Sequence, residues 1–206
     1  IVGPSGSGKS TLSKLILGFY SPKLGTLKFG DSLIGDLNMD IHRHQIGYID
    51  QMPFLSFGTI LENILAGNEH QPNELARAIR MAHADFIYQL PEGLNTLIHD
   101  HSTGLSGGER QRVALARAIY RQPKLFIMDE VTSATDSYTT QLITQSILEL
   151  REQSRIILIT HHMPLARTFQ NIIVIKDGRI EHTGSHDELL KASKTYQQLC
   201  AEESNI

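Results

Sequence analysis

Gly3-Pro4-Ser5-Gly6-Ser7-Gly8-Lys9-Ser10 is the stretch on which the fold turns. It fits the pattern G-x-x-x-x-G-K-S, in which glycines let backbone N–H groups close around phosphate oxygens and the following helix adds the partial positive charge of its N-terminus. Lys9 is expected to reach the β- and γ-phosphates of a nucleotide, and Ser10 to offer its hydroxyl to Mg²⁺. Gly3, Pro4, Ser5, Gly6, Ser7, Gly8 and Thr11 complete the expected cradle. A merely flexible glycine loop would not explain why loop, lysine, hydroxyl and amphipathic helix all agree.

Outward from the loop, Leu12, Leu15, Ile16 and Phe19 fall at helical spacing until Ser21-Pro22, which predicts a helix over 9–20 with one face in the core. Residues 24–29 and 46–49 read as short strands. Leu75, Ile79, Ala82 and Phe86 form a helical stripe that stops before Pro91, so the middle third is expected to be helical. Leu125-Phe126-Ile127-Met128 and Ile156-Ile157-Leu158-Ile159 are continuous apolar runs, the pattern of strands covered on both faces by helices. Residues 172–175 and 179–182 flank Lys176-Asp177-Gly178, a hairpin signal, and Leu189-Leu190 open a final helix.

With 206 residues and 40% hydrophobic composition, one globular unit is expected. A net charge of -3 with scattered basic residues removes the electrostatic footprint of a nucleic-acid binder. Cys200 is the only cysteine, which excludes an internal disulfide and suits a reducing compartment. Apolar runs stay far short of the roughly 18 residues that span a bilayer, so a membrane role must come through a partner. The chain enters the glycine-rich loop directly after Ile1-Val2, where a whole buried strand normally precedes it; the expectation is a fragment lacking its N-terminal strands.

Asp129-Glu130 closes the apolar run 125–128, so Asp129 is expected near the metal and Glu130 near the γ-phosphate, where it would take a proton from, or orient, the attacking water. Ser106 and Glu109 have the spacing of a capping box, and Gly107 and Gly108 strip side chains from the same helix start, which exposes donors to an anion. The pairs His42/His44 and His99/His101 lack a supporting carboxylate or cysteine pattern and are not read as a metal site.

In this order the glycine-rich loop, Leu105-Ser106-Gly107-Gly108-Glu109 and Asp129-Glu130 resemble the ABC ATPases, the middle segment being similar to their signature motif. The similarity runs over 3–199. It implies an α/β fold: a P-loop NTPase core with a mainly parallel sheet flanked by helices, a small antiparallel β part, and a helical subdomain over about 52–122. It further implies ATP and Mg²⁺ as cofactors and a head-to-tail dimer with a second ABC ATPase domain, the P-loop of one copy and the signature of the other enclosing each ATP. Ser106 and Gly108 would then touch the γ-phosphate, with Gly107 in the same nucleotide-binding set.

Gln51 is similar to the Q-loop glutamine, which touches metal or attacking water and faces a transmembrane partner in the same or an associated chain. His161 resembles the switch histidine, and Ser133-Ala134-Thr135-Asp136 the D-loop, with Asp136 linking the two sites. Pro-Phe-Leu-Ser-Phe-Gly-Thr-Ile-Leu-Glu-Asn-Ile at 53–64 matches the exporter pattern, which implies a domain powering export from the cytoplasmic face of a membrane, the bacterial inner membrane in particular. The chain departs from the pattern at Thr135, commonly leucine, at Glu109, commonly glutamine, at His162, commonly arginine in exporters, and over 96–102. The adenine-stacking aromatic of the family would lie upstream of Ile1. Two rivals remain at this stage. A soluble DNA-repair or translation ATPase is disfavoured by charge and by the short 52–104 segment, and a degenerate regulatory half is opposed by Glu130, His161 and the intact signature.

Overall fold

The structure, a computed structural model, describes residues 1–99, 104–133 and 135–203. In chain order it contains α1 (Lys9–Ile16), β1 (Lys28–Phe29), β2 (Ser32–Leu33), α2 (Met39–His44), β3 (Ile46–Ile49), β4 (Gly58–Thr59), α3 (Ile60–Leu65), α4 (Pro72–Met81) and β5 (Leu97–Ile98). Then follow α5 (Gly107–Tyr120), β6 (Leu125–Asp129), α6 (Ser137–Arg151), β7 (Arg155–Ile159), α7 (Met163–Ala166), β8 (Ile172–Lys176), β9 (Arg179–Gly184), α8 (His186–Ala192) and α9 (Lys194–Glu203). The chain divides into two compact units, residues 1–43 with 157–206, and residues 44–156.

In the first unit, Ile1 N donates to Leu158 O (2.6 Å) and Thr160 N to Ile1 O (3.2 Å), while Val2 N donates to Ile173 O and Ile175 N to Val2 O (2.9 Å each). Bonds to residues flanking the opposite position are the parallel pattern. Ile1-Val2 therefore lies parallel to β8 on one side and to the end of β7 on the other. Val2, Val174, Met163, Leu189 and Tyr196 form its buried core. β8 and β9 make an antiparallel hairpin closed by Asp177 (φ 48°) and Gly178 (φ 72°), the two positive φ values that a type I′ turn requires.

In the second unit β3 pairs parallel with β6, Ile46 opposite Leu125 through Ile49 opposite Met128. α5 packs against α3 and α4. Its Val113, Ala114, Leu115, Ala116, Ala118 and Ile119 are all buried, and the alanines let neighbouring helices approach closely. Facing residues Ile60, Ile64 and Ile79 are fully buried, each stabilising the unit by about 1.5–3 kcal/mol. β1–β2 and β4–β5 are two-residue antiparallel pairs. The α/β architecture with parallel pairing and small antiparallel pieces is the expected one.

Local boundaries correct several expectations. The helix predicted over 9–20 ends at Ile16, because Gly18 turns the chain at φ 67°. Phe19 consequently lies outside the helix, 57% exposed beneath the Arg43 guanidinium. The most buried row runs through Lys9, Ser13 and Leu17 rather than along the expected apolar stripe. The strand predicted over 24–29 shrinks to β1, with Leu24 exposed. The stripe at 75–86 splits into α4 and a 3₁₀ segment, Asp85–Gln89, after His83 adopts φ 48°. The final helix is two helices, broken where Ser193 takes an extended conformation.

Candidate functional site

The predicted site residues fall into two groups. Gly3, Pro4, Ser5, Gly6, Ser7, Gly8, Lys9, Ser10, Thr11 and His161 belong to the first unit; Gln51, Ser106, Gly107, Gly108, Asp129, Glu130 and Asp136 belong to the second.

In the first unit the loop is built against β8. A Cβ on Gly3 would sit 2.1 Å from Ile175 O, so only glycine lets the chain leave the sheet there. Gly178 N donates to Ser7 O (3.1 Å), which fastens the hairpin turn to the loop. Gly8 is the N-cap of α1 at φ 100°, a conformation glycine adopts without steric cost, and no side chain caps the helix. The first N–H groups of a helix have no intrahelical partner and carry the positive end of its dipole. Ser7 Oγ is buried without a hydrogen-bond partner in the protein. Lys9, 4% exposed, folds its ammonium back over the loop and donates to Gly3 O and Pro4 O, both at 2.9 Å. An anion that presents several phosphate oxygens as acceptors fits this set of donors. His161 follows Thr160, whose N–H pairs with Ile1 O, so it leaves the sheet at the same carboxyl edge as the loop. It is half-buried.

In the second unit Asp129 is the last residue of β6 and is buried, 3% exposed. Glu130 turns the chain out of the strand in the left-handed region, φ 51°. Such backbone in a residue with a long side chain is uncommon and is held by its surroundings. Ser133 holds it: Ser133 N (3.0 Å) and Ser133 Oγ (2.8 Å) both donate to Glu130 O. Gln51 Nε2 donates in turn to Ser133 Oγ (3.0 Å), which brings the Q-loop position and the strand-end acids together.

Ser106 is the N-cap of α5 with the predicted capping box complete: its Oγ accepts from Glu109 N (3.2 Å), and its N–H donates to Glu109 Oε2 (2.8 Å). Gly108 is buried; a Cβ there would lie 2.6 Å from Thr139 Cγ2, so its missing side chain is a packing requirement as well as an opening. Asp136 caps α6, accepting from Thr139 N (3.0 Å) and Thr139 Oγ1 (2.7 Å). Those two bonds, the backbone one foremost, hold its carboxyl below the usual range. Thr139 therefore joins the Asp136 turn to the start of the signature helix. Ala134 and residues 100–103, including His101, lie outside the described residues. Among the described residues no group of three or more His, Cys, Asp or Glu is placed to hold a metal.

The sequence model of a family described as ABC transporter matches residues 1–133. The chain belongs to the ABC transporter family. It is 44% identical over 195 residues to an ATP-dependent permease, MDL1, of Candida albicans, covering 92% of this chain and 28% of that protein. It is 37% identical over 203 residues to a putative export ATP-binding/permease protein of Rickettsia bellii, covering 98% of this chain and 35% of that one. The structure of a bacterial Atm1-family ABC exporter with ATP bound superposes with a TM-score of 0.92 at 34% identity, over 98% of this chain and 36% of the exporter chain. This ABC chain thus spans about a third or less of the length of such relatives, and none of its described helices is long and apolar enough to cross a membrane.

The sequence reading places Gly178 in a turn and Ser133 in the D-loop-like segment without the bonds they make here, and it passes over Thr139. Gly178 carried a turn signal that did not reveal its bond to the P-loop. Ser133 and Thr139 sit at small polar positions whose spacing from Glu130 and Asp136 is three residues each, the reach of a side-chain hydrogen bond back to a turn.

Proposed function

We propose that this chain binds and hydrolyses ATP and so powers an ABC exporter, as a domain that pairs with a second such domain and attaches to transmembrane segments at the cytoplasmic face of a membrane. The observation that carries the reading is the phosphate cradle of the first unit: an uncapped helix start, a buried unpartnered serine hydroxyl and a buried lysine on one glycine-rich loop. Residues 1–206 act in this reading as one ATP-binding domain, with the helical part over about 52–122.

Each residue then has a task. The 3–11 loop binds the phosphates through backbone N–H groups, and Lys9 leaves its loop carbonyls for phosphate oxygens. Ser10, Asp129 and Gln51 supply the oxygens that hold Mg²⁺, a hard cation that neutralises phosphate charge when bound. Glu130 accepts the proton of the attacking water, and His161 donates to the γ-phosphate. Ser106, Gly107 and Gly108 present their helix start to the ATP held by the second domain, with Asp136 at the same interface. Met52, Phe54 and Phe57 follow Gln51 and are each more than 70% exposed, beside a cavity of about 130 Å³ floored by Leu55 and Ile98. That apolar surface suits the transmembrane partner.

The test is Mg²⁺-dependent ATP hydrolysis by the full-length protein and its Glu130→Gln variant, with the soluble domain assayed across protein concentration. A positioned general base contributes roughly 10² to 10⁴ in rate, so the variant is expected to slow by that factor while still binding ATP. Turnover rising faster than linearly with soluble-domain concentration supports paired sites. ATP binding without turnover at any concentration replaces this reading with a regulatory half.

A further inference from the structure

We propose that Ser133 is a positioning residue for Glu130, and that its hydroxyl ties the side-chain amide of Gln51 to the backbone that aims the Glu130 carboxylate. The inference rests on Glu130 acting as the base of the reaction proposed above. Its geometry is independent of that role. The Ser133 hydroxyl proton is committed to Glu130 O (2.8 Å), which leaves the oxygen lone pairs to accept from Gln51 Nε2 (3.0 Å). One hydroxyl thus closes the left-handed turn at Glu130 and fixes the amide of a residue 82 positions earlier in the chain.

The link continues in the other direction. Gln51 N donates to Asp50 Oδ1 (2.8 Å), and Asp50 O accepts from Gln111 Nε2 (3.1 Å). Gln111 is 3% exposed and lies on α5, one turn beyond the Ser106 cap. A continuous set of contacts therefore runs from the signature helix through the Q-loop backbone to the strand-end acid. The Gln51–Ser133 and Gln111–Asp50 bonds join different elements and the other two are local, so a displacement of the 50–51 segment changes the support under Glu130.

The mechanical consequence follows from how sharply proton transfer depends on placement: an error near 1 Å can cost about 10² in rate. Alanine at 133 keeps the N–H bond to Glu130 O and removes the hydroxyl bond together with the acceptor of Gln51. The turn is loosened rather than lost, and a fall in kcat of about tenfold is expected, the size of one ordinary hydrogen bond. Nucleotide affinity is expected to stay within twofold, because Ser133 itself is assigned to neither the phosphates nor Mg²⁺ and the Gln51 amide atom that loses its acceptor is the nitrogen, not the oxygen assigned to the metal.

The experiment compares wild type, Ser133→Ala, Ser133→Thr and Glu130→Gln in the full-length protein. Steady-state ATPase is measured together with binding of a fluorescent ATP analogue and hydrogen–deuterium exchange over 128–134 without nucleotide. The expected result is a tenfold lower kcat for Ser133→Ala with KM and analogue binding within twofold of wild type, and faster exchange at the turn. Ser133→Thr, which keeps the hydroxyl, should restore both turnover and exchange. Wild-type turnover in Ser133→Ala while Glu130→Gln is slow overturns the positioning role alone. Wild-type turnover in Glu130→Gln overturns the base assignment and this inference with it. Loss of analogue binding in Ser133→Ala, unrestored by threonine, marks a structural role and also overturns it.

Discussion

The helices α1 and α5 begin in opposite ways. α1 starts on a left-handed glycine with no side-chain cap, behind a serine whose buried hydroxyl has no protein partner. α5 starts on Ser106, whose hydroxyl and N–H are both matched by Glu109. A capping box typically stabilises a helix start by about 1 kcal/mol, and an uncapped start forgoes that stability and keeps its donors for something else. The first arrangement suits a site that binds phosphate by itself. The second suits a surface that is ordered before any ligand reaches it.

The largest expected effect on this contrast comes from Lys9→Ala. Hydrogen bonds to a charged group are worth about 1.5–3 kcal/mol, so ATP affinity measured by calorimetry should fall roughly tenfold to a hundredfold. Unchanged affinity would move the phosphate site away from α1. Next in size is Ser106→Ala, which should lower the unfolding free energy in urea by about 1 kcal/mol through loss of the cap. Smallest is Ser7→Ala. Replacing a buried unsatisfied hydroxyl removes a desolvation cost, so stability should stay level or rise by a few tenths of a kcal/mol. If Ser7→Ala destabilises as much as Ser106→Ala does, the two helix starts are alike and the contrast fails.

Elements with a strong local signal were legible in the sequence. The apolar run of β6, the Lys176-Asp177-Gly178 turn and the Ser106–Glu109 box all stand where periodicity and turn chemistry predict them. α6 was not legible, because its buried face includes Thr139 and Ser146 beside Ile143 and Ile147, which breaks the apolar stripe. Ser146 satisfies itself by donating to Leu142 O, a local bond with no signature in the residue pattern. The site shows the same division. The P-loop is a contiguous string, whereas the Gln51–Ser133 bond joins residues 82 positions apart and exists only in the fold.

Glu130 also bears on how this domain can drift over time. Its left-handed backbone is one that glycine or asparagine would adopt more comfortably, so the position exerts a standing pull toward residues that settle the turn and lack a carboxylate. In the role proposed for Glu130, stability and turnover are opposed at one codon. Under that proposal, a copy released from selection for hydrolysis has an easy route to a sturdier protein without the base, and a lineage that keeps glutamate there has kept it against the preference of its own backbone.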